Sequence, residues 1–217
     1  MDRPFRPDAL LFDLDGTLAD TREDIALSLN HTLARLGRPP VNLEQVTRFI
    51  GDGARQLVAR ALGGAENGAL QAAMNIFLPH YTDHCADHLR LYPGAKSVLE
   101  MFSQKGLAVV TNKPEAATRL VLKALGIDGF IKVVIGGDTL AARKPSPEPL
   151  LEAARRLGVS PALAGMVGDS PGDIQAGKAA GMWTCAVTYG YRTAEELKAA
   201  APHALISNLE GLQEVIS

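Results

Sequence analysis

The chain reads as an α/β protein, with a doubly wound parallel-sheet core that an all-helical cap interrupts after the first strand. Three observations lead there. The apolar run Leu10-Leu11-Phe12 stops abruptly at Asp13-Leu14-Asp15-Gly16-Thr17, as a buried strand does where it enters a turn. For about seventy residues beyond it, apolar side chains recur only at helical spacing, enough chain for a small domain. Short apolar runs then alternate with helical stretches, the pattern of parallel strands joined by crossover helices. The chain divides into a core of residues 1–17 and 90–217 and a cap of residues 18–89.

In the cap, Thr21 with Asp24 resembles a capping box, and Ile25, Leu29, Leu33 and Leu36 follow at helical spacing until Gly37. A second helix starts at Asn42, with Gln45 in the capping position, and runs through Val46, Phe49 and Ile50 to Gly51-Asp52-Gly53. The third carries Leu57, Val58, Ala61 and Leu62. A fourth runs from about residue 69 through Met74 and Phe77 toward residue 89, where Pro79 is expected to kink or break it. No strand is expected in the cap, and its hinges are placed at residues 18–20 and 89–93. In the core, strands are expected at Leu107-Ala108-Val109-Val110, Val133-Val134-Ile135, Met166-Val167, Cys185-Ala186-Val187 and Ala204-Leu205-Ile206, with helices between them.

With 217 residues, 47% hydrophobic and 21% charged, the chain can bury a sizeable core. A formal net charge of −2 with dispersed basic residues lacks the footprint of a nucleic-acid binder. No apolar run approaches the ~20 residues that span a bilayer, and no signal-peptide core precedes the acidic motif, so a cytoplasmic protein is expected. Cys85 and Cys185 stand in neither metal-ligand nor redox spacing and read as buried thiols.

Asp13 and Asp15 bring two carboxylates to one strand end, where they repel unless a cation or a proton intervenes. A hard cation such as Mg2+ takes oxygen ligands and would supply the reason, leaving one Asp as nucleophile and the other as acid and base. Capping of a turn or helix is the plainer alternative. Three further strand ends or loops weigh against it. Thr111-Asn112 offers a hydroxyl and an amide, Lys144 a cation, and Gly168-Asp169-Ser170-Pro171-Gly172-Asp173 two more carboxylates. Each has its own plain reading: a turn before Pro114, a solvated charge, a helix cap at Asp173. In a doubly wound sheet, however, all of them fall on the side that binds ligands. Asp13, Asp169 and a phosphate dianion would form an anionic cluster that Mg2+ and Lys144 could nearly balance, which suits phosphoryl transfer.

In these four motifs the sequence resembles the haloacid dehalogenase superfamily, Mg2+-dependent phosphatase branch, over nearly its whole length, cap included. The resemblance implies that Asp13 attacks phosphorus to give an aspartyl phosphate, and that Asp15 protonates the leaving alkoxide and then activates water. It implies Mg2+ ligation by Asp13, the backbone carbonyl of Asp15 and Asp169. Thr111, Asn112 and Lys144 would hold the phosphoryl oxygens, with Asp173 orienting Lys144 or a metal-bound water. Gly51-Asp52-Gly53, Gly136-Gly137-Asp138 and Lys144-Pro145-Ser146-Pro147 look most like phosphoglycolate phosphatases, and in part like pyrophosphatase, β-phosphoglucomutase and amino-sugar phosphate phosphatase relatives. The implied partner is a small phosphorylated metabolite, 2-phosphoglycolate first, and no nucleic acid or membrane; a monomer or homodimer would act on it. Gly51, Asp52, Gly53 and Arg55 are the cap residues expected to touch the leaving group.

Other readings are less well served by the residues. Dehalogenation through the same nucleophile needs neither metal nor a second acid, so Asp15 and Asp169 count against it. A receiver-type signalling domain gathers a similar acidic site but has no use for a large cap. A phosphomutase would use the same core. His80, His84 and His88, four apart, would form a metal-binding stripe only on an unbroken helix, which Pro79 threatens.

Overall fold

The computed structural model describes residues 5–64 and 68–216; the remaining residues of the two outlined segments lie outside the described ones. Six strands form one parallel sheet: β1 (Ala9–Phe12), β4 (Gly106–Val110), β5 (Val133–Ile135), β6 (Ala164–Gly168), β7 (Trp183–Val187) and β8 (Ala204–Ile206). Their spatial order is β5-β4-β1-β6-β7-β8. The chain leaves β1 toward β4 on one side and later returns to β6 on the other, so the strand order reverses between β1 and β6. That reversal opens a crevice at the carboxyl ends of these two strands.

Alternation along the strands builds a core on each face of the sheet. Leu10, Phe12, Leu107 and Val109 pack on one side, and Ala9, Leu11, Ala108 and Val110 on the other. Burying side chains on both faces removes the polar alternation of a half-exposed strand, which is why these segments read as continuous apolar runs. Helices α5 (Ala95–Met101), α6 (Glu115–Ala124), α7 (Glu148–Leu157), α8 (Pro171–Ala179), α9 (Ala194–Ala199) and α10 (Leu212–Val215) belong to the core segment.

Helices α1 (Arg22–Arg35), α2 (Leu43–Phe49), α3 (Ala54–Ala61) and α4 (Gly68–His84) make up the cap. Its apolar residues, among them Leu29, Leu33 and Phe77, join the core of the first sheet face rather than closing on themselves. The expected hinges are not bare loops. Residues Ala19–Asp20 form β2 and Arg90–Leu91 form β3, paired antiparallel as Ala19↔Leu91 and Asp20↔Arg90. Strands of two residues are too short to show a period of two, so the sequence pattern could not display them.

Two further local expectations need correction, and the disfavoured histidine stripe can be placed. Asn42 and Gln45 do form a capping box, but Thr21 makes no side-chain cap; its hydroxyl donates to Asp15 Oδ1 at 2.7 Å instead. Pro79 lies inside an unbroken α4, on its exposed face, where water can take a carbonyl left without its helical partner, while Ala73, Met74, Phe77 and Tyr81 anchor the other face. The histidine stripe fails at its end, because α4 stops at His84 and His88 lies beyond it. His80 Nδ1 meets Ser28 Oγ, His84 pairs with Asp87 and His88 with Asp24. Among the described residues, no convergent metal-ligand group includes these histidines.

Asp24 and His88 fasten the cap across its own ends. The Asp24 side chain is wholly buried, and its Oδ1 accepts from both the backbone N–H and Nδ1 of His88, each at 2.9 Å. The hydrogen bond to Asp24 holds the His88 imidazolium pKa above its ordinary value against desolvation, with the charges of Glu23, Asp24 and Asp87 adding to the rise. A pKa raised on folding contributes stability below the unfolded value, and that stability is lost as pH rises through the folded one. The melting-temperature gap between wild type and His88→Ala should therefore be widest below the ordinary histidine pKa of about 6.5 and narrow as pH rises through the raised folded value; a gap independent of pH would show that the ring contact carries no charge.

Candidate active site

The first acidic residue continues the sheet before the chain turns. Asp13 N–H donates to Val167 O at 2.9 Å, one step past β1, and Leu14 N–H then donates to Asp13 Oδ1 at 2.8 Å. The backbone folds over so that the N–H groups of Thr17, Leu18 and Ala19 all reach Leu14 O. Gly16, at φ +89°, makes this turn, and a Cβ there would lie 2.2 Å from Asp169 Oδ2. Only glycine allows both the conformation and the approach.

Asp13 after β1 and Asp169 after β6 thus face each other across the crevice, and Asp173, in the first turn of α8, joins them. All three are buried, and one carboxylate oxygen from each lies within 4.8 Å of the others. Burial, reinforced by the neighbouring Asp13 and Asp173, pushes the Asp169 carboxyl up to about 8; burial against the opposing pull of Lys144 raises Asp13 to about 6. Three buried carboxylates in this space call for a positive charge, and the all-oxygen donor set suits a hard divalent cation. The residues present therefore fit a metal ion of that class.

Lys144 supplies part of that charge from the loop after β5. Its Nζ lies 3.0 Å from Asp13 Oδ1 and 2.7 Å from Asp173 Oδ1 and donates to Val110 O at 2.6 Å. Burial alone would lower the lysine, but the two carboxylates outweigh it and hold it up at about 12. Asp173 serves twice, since its Oδ2 also accepts from Ser170 N–H and Oγ in the capping box of α8. Ser170, not Asp173, is the cap residue. Thr111 is buried at the end of β4 and lines the same pocket.

Asn112 departs from the expectation that it holds phosphoryl oxygens through its side chain. Its Nδ2 donates to Gly51 O of the cap at 2.9 Å and to Lys144 O at 3.0 Å, while Oδ1 accepts from Lys144 N–H. The amide is committed to joining two loops of the core to the cap. Arg192 makes a second such bond, its guanidinium reaching Thr47 O and Ile50 O.

Asp15 has a separate set of partners. Its Oδ1 accepts from Thr21 Oγ1 at 2.7 Å and from Lys113 Nζ at 2.6 Å, and the Lys113 ammonium lies 5.0 Å from the ring centre of Tyr81 on α4. Lys113 is a site residue that the motif reading passed over, although it directly follows Thr111-Asn112 in a loop already assigned to the site. Tyr81 and Arg192 also line the pocket, but nothing in their local sequence marks them.

The cap loop reaches the pocket with its backbone. Gly51 and Gly53 line it, and a Cβ on Gly53 would stand 3.0 Å from Asn112 O. Asp52 and Arg55, expected beside them, turn elsewhere: Asp52 pairs with Arg60 on α3, and Arg55 is exposed, with Gln71 at 3.4 Å. Successive residues of a turn point in different directions, so a four-residue motif could not enter the pocket whole.

Comparison with known proteins bears on this arrangement directly. The family model described as haloacid dehalogenase-like hydrolase matches residues 10–187. The phosphoglycolate phosphatase of Nitrosococcus oceani is 35% identical over 98% of this chain and 97% of its own. That of Rhodospirillum rubrum is 42% identical over 85% of this chain and 81% of its own. Among solved structures, a predicted phosphoglycolate phosphatase from Haemophilus somnus 129PT superposes with a TM-score of 0.88 at 30% identity, over 96% of this chain and 97% of the other. CbbY from Rhodobacter sphaeroides, solved in complex with phosphate, gives 0.82 at 26% identity over 95% and 99%. With the family model spanning most of the chain and near-full-length relatives above a third identical, this protein belongs to the haloacid dehalogenase-like hydrolase family.

Proposed function

We propose that the protein is a Mg2+-dependent phosphomonoester hydrolase that works through an aspartyl phosphate and converts 2-phosphoglycolate to glycolate and phosphate. The observation that carries this reading is the division of two aspartates on one turn between different partners: Asp13 beside Asp169 and Lys144, Asp15 beside Lys113 and Thr21. One carboxylate is placed to attack and the other to move a proton. The names of the relatives supply the substrate.

In this mechanism a carboxylate oxygen of Asp13 attacks phosphorus, and the bond from phosphorus to the ester oxygen breaks. Asp15 gives its proton to that oxygen, so the leaving group departs as an alcohol. Asp15 then takes a proton from water as the water attacks the phosphoryl group; the bond to Asp13 breaks, and inorganic phosphate leaves. Lys144 and Thr111 neutralise and position the phosphoryl oxygens, and Asp173 holds Lys144 in place. Asp13, Asp169 and the backbone carbonyl of Asp15 would hold Mg2+, whose chemistry when bound is to offset the charge of the phosphoryl group and the aspartates.

Two measurements test the reading. Phosphate release from 2-phosphoglycolate, pyrophosphate, β-glucose 1-phosphate and N-acetylmuramic acid 6-phosphate should be strongest on the first, and should fall at least about 1,000-fold in Asp13→Asn and on chelation of the metal. Asp13-dependent turnover strongest on another ester would keep the reaction and replace the substrate; turnover untouched by Asp13→Asn would end the mechanism. Separately, Mg2+ at about a hundred times its Kd should raise the melting temperature by about 5 °C or more, and Asp169→Asn should remove that shift. A shift that survives the substitution would place the ion elsewhere.

A further inference from the structure

Asp15 is supplied with more donor capacity than it uses. An ammonium carries three protons, and the Lys113 Nζ bond to Asp15 accounts for one of them. The lysine side chain is 2% exposed, so bulk water does not solvate the others. Above it, Tyr81 lines the same pocket, and its hydroxyl is buried without a hydrogen-bond partner. An unpaired buried hydroxyl is costly unless something occupies it during function.

The rest of that pocket wall narrows what the something is. Toward the cap it is apolar, formed by Ile25, Ile50, Leu57 and Phe77. The other cations are occupied, Lys144 by Asp13, Asp173 and Val110 O, and Arg192 by the carbonyl oxygens of Thr47, Ile50 and Tyr191. A leaving group that takes its proton from Asp15 must extend past Asp15, and there it meets Lys113 and Tyr81. An anionic group in an otherwise apolar wall needs both a counter-charge and a hydrogen bond.

We infer that Lys113 Nζ and Tyr81 Oη together bind the carboxylate of the leaving group, which makes the pocket selective for small esters carrying a carboxylate beside the phosphoryl oxygen. Lys113 then bridges two carboxylates, that of Asp15 and that of the substrate. It holds the acid and the leaving group in fixed relation. The inference rests on the phosphomonoesterase reading above and deepens it by assigning the residues that choose the substrate.

The test compares 2-phosphoglycolate with 2-hydroxyethyl phosphate, which has a similar length and no carboxylate. The ratio of kcat/KM for the two esters should fall about 100-fold in Lys113→Met, chiefly through KM, and about tenfold in Tyr81→Phe; Lys113→Arg, which keeps the charge, should keep most of the ratio. Taking the ratio cancels any damage to Asp15, which both esters share. A ratio unchanged in Lys113→Met would overturn the inference and leave Lys113 as a partner of Asp15 alone. A wild type that hydrolyses both esters equally would also overturn it while leaving the phosphatase reading intact. Binding of 2-phosphoglycolate to Asp13→Asn, measured by calorimetry with Mg2+ present, separates the two claims. Lys113-dependent binding without wild-type turnover would support the subsite and sink the reaction.

Discussion

A single ammonium group between two carboxylates governs the arrangement of the catalytic crevice. Lys144 Nζ bridges Asp13 and Asp173, and with Asp169 beside them three carboxylates share a space in which each raises the cost of ionising the next. Removing one partner of such a buried pair leaves an uncompensated charge and typically costs about 3–5 kcal/mol, far more than the pair itself contributes. The lysine reaches this position from the loop after β5, two strands away from Asp13 in the sheet, and is held there by its own backbone N–H and C=O on Asn112. The ion cluster is thereby tied to the tertiary fold rather than to any one motif.

Sheet order turns four dispersed motifs into one site. Strand reversal between β1 and β6 puts the ends of both strands at the edge of one crevice, with β4 and its Thr111-Asn112-Lys113 loop alongside. Close approach is then enforced by missing side chains. A Cβ on Gly190 would fall 2.3 Å from that of Asp169, and one on Gly168 would fall 2.3 Å from Asp173. The carboxylates can gather only because the backbones that face them carry no side chains.

Much of this was legible in the sequence, for physical reasons that also explain what was not. Strands buried on both faces produce uninterrupted apolar runs, and Asp13, Thr111 and Asp169 directly follow three of them, with Lys144 and Asp173 in the loop and the helix turn beyond, so these residues could be read in order. Long-range contacts leave no such trace. Nothing around Tyr81 distinguishes a pocket residue from an ordinary aromatic on the buried face of α4, since it is both. Thr21 has the local pattern of a helix cap, but a carboxylate six residues back claims its hydroxyl. Asn112 fits a phosphate-binding motif, yet its amide forms the bond to the cap at Gly51. For Thr21 and Asn112 a tertiary partner took the group that the local pattern assigned elsewhere, as happens where function bends local rules.

The origin of these partners divides the site into two parts. The charged groups around Asp13, namely Lys144, Asp169 and Asp173, all belong to the core. Asp15 differs, because Thr21 directly follows β2, at the junction with the cap, and Tyr81, whose ring lies beside the Lys113 ammonium, comes from α4 of the cap. A displacement of the cap about β2 and β3 would therefore leave the surroundings of Asp13 in place and carry Tyr81 away from Lys113, while Lys113, from the core loop after β4, would stay on Asp15. It would also have to break the bonds of Asn112 and Arg192 to the backbone of residues 47–51. The cap loop, through Gly51 and Gly53, lies against the core beside this half of the site, the half that would activate the leaving group on the proposed mechanism. On the mechanism proposed above, a fold that holds its nucleophile in the core and draws part of the acid's surroundings from the cap would gain selectivity from the placement of the cap.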